Sequence, residues 1–213
     1  MLRQRGAWMR RTLSSVLALV SIAAAALAAP QEQPPGLRLI AVATEAEAAD
    51  ILARLRGGEQ FDELARNHSL DSSAGEGGYL GRILVGNLRT EFQDALAGLS
   101  PGQISPIARV GREYVLLRLL REEETRWIEQ NDAGRAAYRQ GRYGEAEQFF
   151  AAAAQDAEEY GLGGSYLSDS LDNLAELHQA EGKYAEAESF YSRSLAIQEE
   201  ALGPDHPNVA LTL

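Results

Sequence analysis

The sequence predicts a small α+β domain followed by an all-α helical repeat. From Leu37 to Arg121, short apolar runs alternate with segments of helical periodicity, which is typical of a sheet covered by helices. From Glu122 onward the strand signals stop, and a seven-residue motif recurs after 41 residues. The charge balance changes at the same point. Residues 37–121 include 10 basic and 11 acidic residues, whereas residues 122–213 include 6 basic and 19 acidic residues.

Composition excludes several classes of function. The 213 residues have a net charge of −11, which argues against generic nucleic-acid binding because that needs a basic face. The absence of cysteine excludes disulfides, thiolate catalysis and zinc ribbons. The three histidines lack metal-site spacing, so neither a metal nor a cofactor is predicted.

The N-terminal segment has the pattern of a secretory signal. A basic start without acidic residues precedes an apolar stretch that ends in Ala26-Leu27-Ala28, the small-x-small pattern that signal peptidase reads. We therefore predict a signal peptide over residues 1–28 and a periplasmic or secreted protein. An uncleaved membrane anchor is the alternative. Residues 29–36 contain Pro34-Pro35 and are predicted to form a short, stiff linker.

The first half of the domain is predicted to contain a strand and two helices. The apolar run Leu37–Val42 is typical of a strand. Thr44 and Glu47 have the spacing of a capping box, and the helix that follows ends at Gly57-Gly58. A shorter helix has its apolar residues at Phe61, Leu64 and Ala65.

The second half is predicted to contain three strands and one helix. The small residues from Ser72 to Gly78 indicate a loop before a short strand at Tyr79–Ile83. A helix with one buried face is predicted over Phe92, Ala95, Leu96 and Leu99, ended by Ser100-Pro101-Gly102. Two strands follow at Ile107–Val110 and Tyr114–Leu120, and the second is apolar enough to be central.

Five motifs carry a resemblance to a known family. In chain order they are SLDSSA (69–74), GGYLG (77–81), GNLRTEF (86–92), LSPGQISP (99–106) and EYVLLRL (113–119). Together they resemble the signature of the parvulins, which are PpiC-type peptidyl-prolyl cis-trans isomerases. The resemblance spans Leu37 to about Arg121 and implies a four-stranded sheet with helices.

The resemblance also implies a site for the proline ring. It assigns the substrate pocket to Leu80, Leu88 and Phe92, an apolar set that suits a pyrrolidine ring. An isomerase needs such a pocket together with polar groups that favour the twisted amide over the planar one. The alternative is that all three residues are simply core, since Phe92 lies on the buried stripe of its helix.

The polar centre of the family is only partly present. Its Cys or Asp position falls on Asp71, which the resemblance makes the catalytic candidate. An Asx turn opening the next loop is the alternative role for this carboxylate. The two family histidine positions fall on Leu39 and on Val115, or with a gap on Tyr114. We therefore expect isomerase activity to be reduced or absent.

The second module contains a tandem repeat. GRYGEAE (141–147) recurs as GKYAEAE (182–188), and small residues at Gly134 and Ala175 allow close helix packing. With LGPDHPNVA (202–210), the pattern resembles the tetratricopeptide repeat of kinesin light chains and gives two copies plus the start of a third over residues 122–213. Such repeats bind peptides or proteins in a concave groove. A spacer or dimerisation arm is the alternative.

Together these features predict an exported peptidyl-prolyl isomerase that acts as a folding factor. The isomerase domain would act on proline-containing unfolded or partner polypeptides, and the repeat groove would hold a protein partner. The alternative is a non-catalytic adaptor or chaperone in which the domain has kept only its peptide-binding surface. Nucleic acid is not an expected partner, and a membrane is expected only if the signal is uncleaved.

Overall fold

The N-terminal module is a four-stranded antiparallel sheet with three helices. The computed structural model describes residues 33–202. The elements are β1 (Gly36–Val42), α1 (Glu45–Arg56), α2 (Phe61–His68), β2 (Tyr79–Arg82), α3 (Thr90–Leu96), β3 (Ala108–Val110) and β4 (Glu113–Leu119). The strands lie in the order β2-β1-β4-β3, which confirms the predicted central position of β4 and places β1 beside it.

Strand β1 is buried on both faces of the sheet. Because alternate residues of a strand point to opposite sides, its side chains contribute to two different cores. Leu37, Leu39 and Ala41 face the side that α3 covers, and Ile40 and Val42 face α1 and α2. The sheet therefore separates two apolar cores. The predicted substrate pocket belongs to the α3 side.

The predicted capping box begins α1. The Glu47 amide donates to Thr44 Oγ1 at 3.2 Å, and the Thr44 amide donates to the Glu47 carboxylate at 3.0 Å. Each side chain thus satisfies a backbone N–H that the first helical turn leaves unpaired. The helix ends at Arg56, immediately before the predicted stop at Gly57-Gly58.

Two local predictions need correction. Helix α3 ends at Leu96 rather than running on toward Ser100, because Gly98 adopts a left-handed φ of 77°. Leu99 still packs against the α3-side core, which is why its spacing resembled a further helical turn. The segment predicted as a loop also contains a 3-10 turn at Ser72–Glu76.

The described part of the second module, residues 122–202, contains four helices, and the prediction of an all-α region is confirmed there. Two of them begin at the tyrosines of the repeated motif, which are 41 positions apart in the chain. A Cβ on Gly134 would overlap the Phe150 ring, so the small residue is needed for the close helix packing that the sequence predicted. The helices are α4 (Glu122–Arg139), α5 (Tyr143–Glu159), α6 (Gly164–Ala180) and α7 (Tyr184–Leu202).

Three sequence predictions lie wholly or largely outside the described residues. They are the signal peptide over residues 1–28, most of the linker over residues 29–36, and the start of a third repeat after Leu202. Within residues 33–202, no helix has both the length and the apolar character needed to cross a bilayer.

The two modules pack directly against each other, and the chain from Pro34 onward forms one compact unit. Trp127 of α4 is buried in a cluster with Leu120, where β4 leads into α4, and Tyr79 of β2 packs against that cluster. Trp127 therefore packs against the first domain. The Trp127 indole N–H donates to Ser170 Oγ at 2.9 Å.

Ion pairs surround this junction. The Arg82 guanidinium contacts the carboxylates of Glu122 and Glu129, each at 2.8 Å, and these hydrogen bonds raise the pKa of Arg82. Arg118 donates to Glu124 at 2.6 Å, and the Glu124 side chain is 1% exposed. A buried carboxylate is costly unless it is paired, so Arg118 and Glu124 must keep this relative position when the two modules pack together.

Candidate functional site

The α3 side of the sheet brings the predicted pocket residues together. Leu80, Leu88 and Phe92 are half-buried and pack against one apolar cluster. The cluster also contains Leu39 and Val115, which are 6% and 2% exposed. The three predicted pocket positions and the two substituted histidine positions therefore belong to one apolar cluster. We call this cluster the prolyl groove, after the ring site that the family resemblance predicts for it.

Three elements position the groove side chains. Leu80 lies on the edge strand β2, Leu88 follows a 3-10 turn at Val85–Asn87, and Phe92 lies in the first turn of α3. The Gln93 side-chain amide donates to the Leu88 carbonyl oxygen at 2.7 Å, which ties the turn to the helix. The half-buried state of the trio fits a lining that a substrate ring could contact, and it also fits the rim of a core.

The register of the sheet places the two candidates for the second histidine position, Val115 and Tyr114, on opposite faces. Val115 pairs with Ala41, and Leu39 pairs with Leu117, so Val115 and Leu39 share one face of adjacent strands. Tyr114 packs against the opposite core, beside α1 and α2. Only the alignment on Val115 therefore places the second position in the prolyl groove.

Asp71 has the geometry of an Asx turn. One oxygen of its carboxylate accepts from the Ser73 amide at 2.8 Å and from the Ser73 hydroxyl at 2.5 Å. The Ser69 hydroxyl accepts from the amides of Asp71 and Ala41, which anchors this segment beside the end of β1. The Asp71 carboxylate thus has a structural role, and its role in isomerisation stays a prediction.

Neither of the two described histidines contributes to the groove cluster. His68 ends α2, and its Nε2 lies 3.0 Å from a guanidinium nitrogen of Arg54. His178 belongs to α6, where it is 3.6 Å from Glu147. In the described part of the chain, no group of three or more His, Asp or Glu side chains is placed to hold a metal ion.

Glycine allows β1 and the segment before β2 to approach closely. The Leu39 amide donates to the Gly78 carbonyl oxygen at 2.8 Å, and a Cβ on Gly78 would overlap the Leu39 carbonyl oxygen. Gly78 also has a left-handed φ of 78°. The GGYLG motif therefore fixes the backbone from which Leu80 enters the groove.

Sequence reasoning missed a second group of polar residues, located where the two modules meet. Arg38 of β1 is 5% exposed, and it lines a cavity together with Asp62 of α2 and Asp169 of α6. One signal was available, because Arg38 interrupts an otherwise apolar central strand. The other two residues belong to polar helix faces that a sequence pattern assigns to solvent.

Comparison with protein-family models matches both modules. The model of the PPIC-type PPIase domain, also called rotamase, matches residues 29–121, and a tetratricopeptide-repeat model matches residues 166–213. The chain joins a parvulin-type domain to a tetratricopeptide repeat. The assignment of the repeat to the kinesin-light-chain variety stays a prediction.

Two curated chaperones match about half of this chain. The chain is 34% identical over 122 residues to the chaperone SurA of Thiobacillus denitrificans, covering 54% of this chain and 28% of that protein. It is 39% identical over 105 residues to the chaperone SurA of Burkholderia lata, covering 48% and 23%. The chain thus spans about a quarter of the length of these two relatives.

Two solved structures match about two fifths of this chain. The peptidylprolyl isomerase PrsA of Bacillus anthracis is 34% identical, covering 41% of this chain and 42% of that chain, with a TM-score of 0.39. The parvulin NmPin of Nitrosopumilus maritimus is 30% identical, covering 42% and 97%, with a TM-score of 0.39.

Proposed function

We propose that this protein is an exported folding factor that binds X-Pro segments of unfolded polypeptides in the prolyl groove and isomerises them slowly. The observation that carries the proposal is that Leu80, Leu88 and Phe92 are half-buried and pack against one apolar cluster on one side of the sheet. The match to chaperones named SurA supports the same class of function. The tetratricopeptide repeat would hold a partner or the same unfolded chain.

Slow catalysis is expected because the groove has few polar groups. Leu39 and Val115 are buried and apolar, so they cannot hydrogen-bond to a twisted amide or orient Asp71. The barrier to rotation of a peptide bond is about 18–20 kcal/mol in water. Transfer of an X-Pro amide from water into an apolar groove could still favour the twisted form, because the planar amide is the more polar one.

The second candidate is a non-catalytic adaptor, and the same two side chains favour it. An adaptor would bind proline-containing segments without changing their isomerisation rate. It would keep the groove and the repeat but would not need the polar centre. Tethering by the repeat would raise the effective concentration of a weakly bound segment in either case.

A prolyl-isomerisation assay separates the two candidates. The chain from Ala29 onward is mixed with an unphosphorylated X-Pro peptide, whose uncatalysed isomerisation takes tens to hundreds of seconds. Catalysis predicts a rate proportional to protein concentration, reduced by about tenfold in Phe92→Ala because the ring loses an apolar contact. Phe149→Ala is the matched control, since Phe149 lies on α5 outside the groove and is 38% exposed.

Other outcomes of the assay are equally informative. A background rate with the peptide still bound would support the adaptor and contradict catalysis. Loss of peptide binding and of folding together in Phe92→Ala would mean that Phe92 is only a core residue. An unchanged rate in Asp71→Ala would remove Asp71 from the mechanism and leave it as the Asx turn that the hydrogen bonds describe.

A further inference from the structure

A polar cleft lies between the two modules, and none of the residues that line it belongs to the prolyl groove. Its main cavity has a volume of about 700 Å³ and is continued by a second cavity of about 280 Å³. Helix α2 forms one wall, and the start of α6 with Trp127 of α4 forms the other. We call the two cavities together the interdomain cleft. Its volume suits a ligand of peptide size.

Two buried donors line the cleft without an acceptor among the described residues. Arg38 is 5% exposed and donates from one terminal nitrogen to the Gly77 carbonyl oxygen at 2.6 Å, but its Nε has no partner. The Tyr79 hydroxyl is also buried and unpartnered, and burial raises the pKa of this phenol to about 12. Buried donors are costly unless an acceptor reaches them. Both residues line the smaller cavity.

Among the carboxylates that line the cleft, those of Asp169, Glu63 and Glu76 have no ion pair within residues 33–202, and of these only Asp169 contacts both cavities. Asp62 is paired with Arg66 at 3.0 Å, and Asp132 is paired with Arg135 at 2.6 Å. Asp169 has no hydrogen bond or ion pair among the described residues, although both cavities contact it. Asp169 is open to the cleft, but the pKa of its carboxyl is raised to about 7. Desolvation between the walls is the largest cause, and the nearby carboxylates of Asp62 and Asp172 add to it. The cleft therefore offers an exposed, unpaired carboxylate beside buried donors that have no acceptor.

We propose that the interdomain cleft binds a segment of unfolded polypeptide through a Lys or Arg side chain. The cationic group pairs with Asp169, and backbone carbonyl oxygens of the segment accept from Arg38 Nε and the Tyr79 hydroxyl. A polypeptide offers a cationic donor and carbonyl acceptors on one flexible chain, which matches both kinds of unpartnered group. The inference rests on the proposed function, since it names what the two modules would hold together.

Matched peptides test the cleft directly. The probes are two fluorescein-labelled 12-residue peptides without proline that differ only in carrying lysine or acetyl-lysine at the central positions. We expect the chain from Ala29 onward to bind the lysine peptide more tightly. Asp169→Asn should weaken that binding by about tenfold and leave the acetyl-lysine peptide unchanged, as measured by fluorescence anisotropy. Asp94→Asn on α3 is the control, because it removes the same charge at an exposed site outside the cleft.

A second variant tests the donor side of the cleft. Tyr79→Phe removes a hydroxyl that has no partner, so folding should survive. We expect it to weaken both peptides equally, by about fivefold, because the lost hydrogen bond is to the backbone. Equal affinity for the two peptides, an unchanged affinity in Asp169→Asn, or an equal effect of Asp94→Asn would each overturn the proposal. An unchanged affinity of both peptides in Tyr79→Phe would overturn its donor part.

The outcomes separate this inference from the proposed function. Neither peptide contains proline, so Phe92→Ala should leave their binding unchanged. Binding of the lysine peptide without any prolyl isomerisation would contradict catalysis and support the cleft. Isomerisation of an X-Pro peptide without a preference for lysine would contradict the cleft and leave the proposed function intact.

Discussion

Two apolar side chains decide how the prolyl groove can act. Leu39 and Val115 stand where the family resemblance assigns histidine, and both are nearly fully buried. Burial of an aliphatic side chain contributes about 1.5–3 kcal/mol to stability, so the substitutions favour the fold. They also remove the groups that could hydrogen-bond to a twisted amide. The groove has therefore gained core stability where an efficient isomerase would need polar atoms.

Asp169 has the opposite effect on stability, because its surroundings disfavour the charged form of its carboxyl group. The groups around it include Asp62 and Arg66 from α2, Arg38 from β1, Arg135 from α4 and Asp172 from its own helix. Both arginines that oppose the shift already have carboxylate partners. The folded protein thus disfavours the ionised form, whose ordinary pKa of 3.8 rises to about 7.

This shift in the pKa of Asp169 predicts that the folded protein becomes less stable as pH rises. The unfolded chain releases the Asp169 proton near pH 3.8 and the folded chain near pH 7, so stability is lost as pH rises across that window. Asp169→Asn should therefore raise the melting temperature more at pH 8 than at pH 5, with little effect below pH 3.8. The measurement is thermal unfolding of both proteins at several pH values. A constant difference across this range would contradict the predicted shift.

At the scale of elements, two glycines hold left-handed backbone, one immediately before β2 and one within it. Gly78 and Gly81 have similar left-handed φ values of 78° and 86°. Their surroundings differ, since a Cβ on Gly78 would overlap the Leu39 carbonyl oxygen, whereas a Cβ on Gly81 would meet nothing within 4 Å. The pair therefore separates the cost of the backbone conformation from the cost of steric overlap.

We expect Gly81→Ala to lower the free energy of unfolding by about 1–2 kcal/mol, the cost of a left-handed backbone. Gly78→Ala should lower it by at least about 3 kcal/mol, because overlap with a backbone atom cannot be relieved by a rotamer change. Chemical denaturation measures both values. Similar losses in the two variants would mean that β1 can move away from Gly78, so that the close approach is not required.

Local patterns predicted the elements of this protein better than its turns. The capping box at Thr44, the central position of β4 and the 41-residue repeat depend on neighbouring residues, and the structure confirms them. The predicted end of α3 was wrong because Leu99 lies after the helix but is still apolar and fits the helical spacing. The periodicity of apolar residues therefore did not show where the helix ends. Gly98, which has a left-handed φ, ends that helix, and the φ of a glycine cannot be read from the sequence.

At the scale of the whole molecule, the interdomain cleft could not be predicted from the sequence. The pocket trio was found because a family resemblance grouped its members. Asp62 and Asp169 are far apart in the chain, and each lies on a helix face that resembles a solvated surface. Only the packing of α4 against the sheet brings these faces together, and that packing depends on Leu120, Trp127 and the pair formed by Arg118 and Glu124.

This packing predicts that the two modules unfold together. Leu120 is 1% exposed, and its amide donates to the Gly36 carbonyl oxygen at 2.9 Å, so it belongs to both modules. In the chain from Ala29 onward, Trp127 is the only tryptophan, and its fluorescence reports the junction. We expect fluorescence and far-UV circular dichroism to give coincident denaturation curves, because loss of the junction exposes the cores of both modules.

Leu120→Ala should uncouple the two signals. Truncation of this side chain should cost about 2–5 kcal/mol, and the fluorescence change should then precede the loss of helicity because the junction fails first. Leu174→Ala is the matched control, since Leu174 is 5% exposed within the repeat cluster and does not belong to the junction cluster. It should lower stability while the two curves remain coincident. Separate curves in the unmodified chain would contradict the coupling, and the interdomain cleft would then lack the rigid walls that its proposed ligand requires.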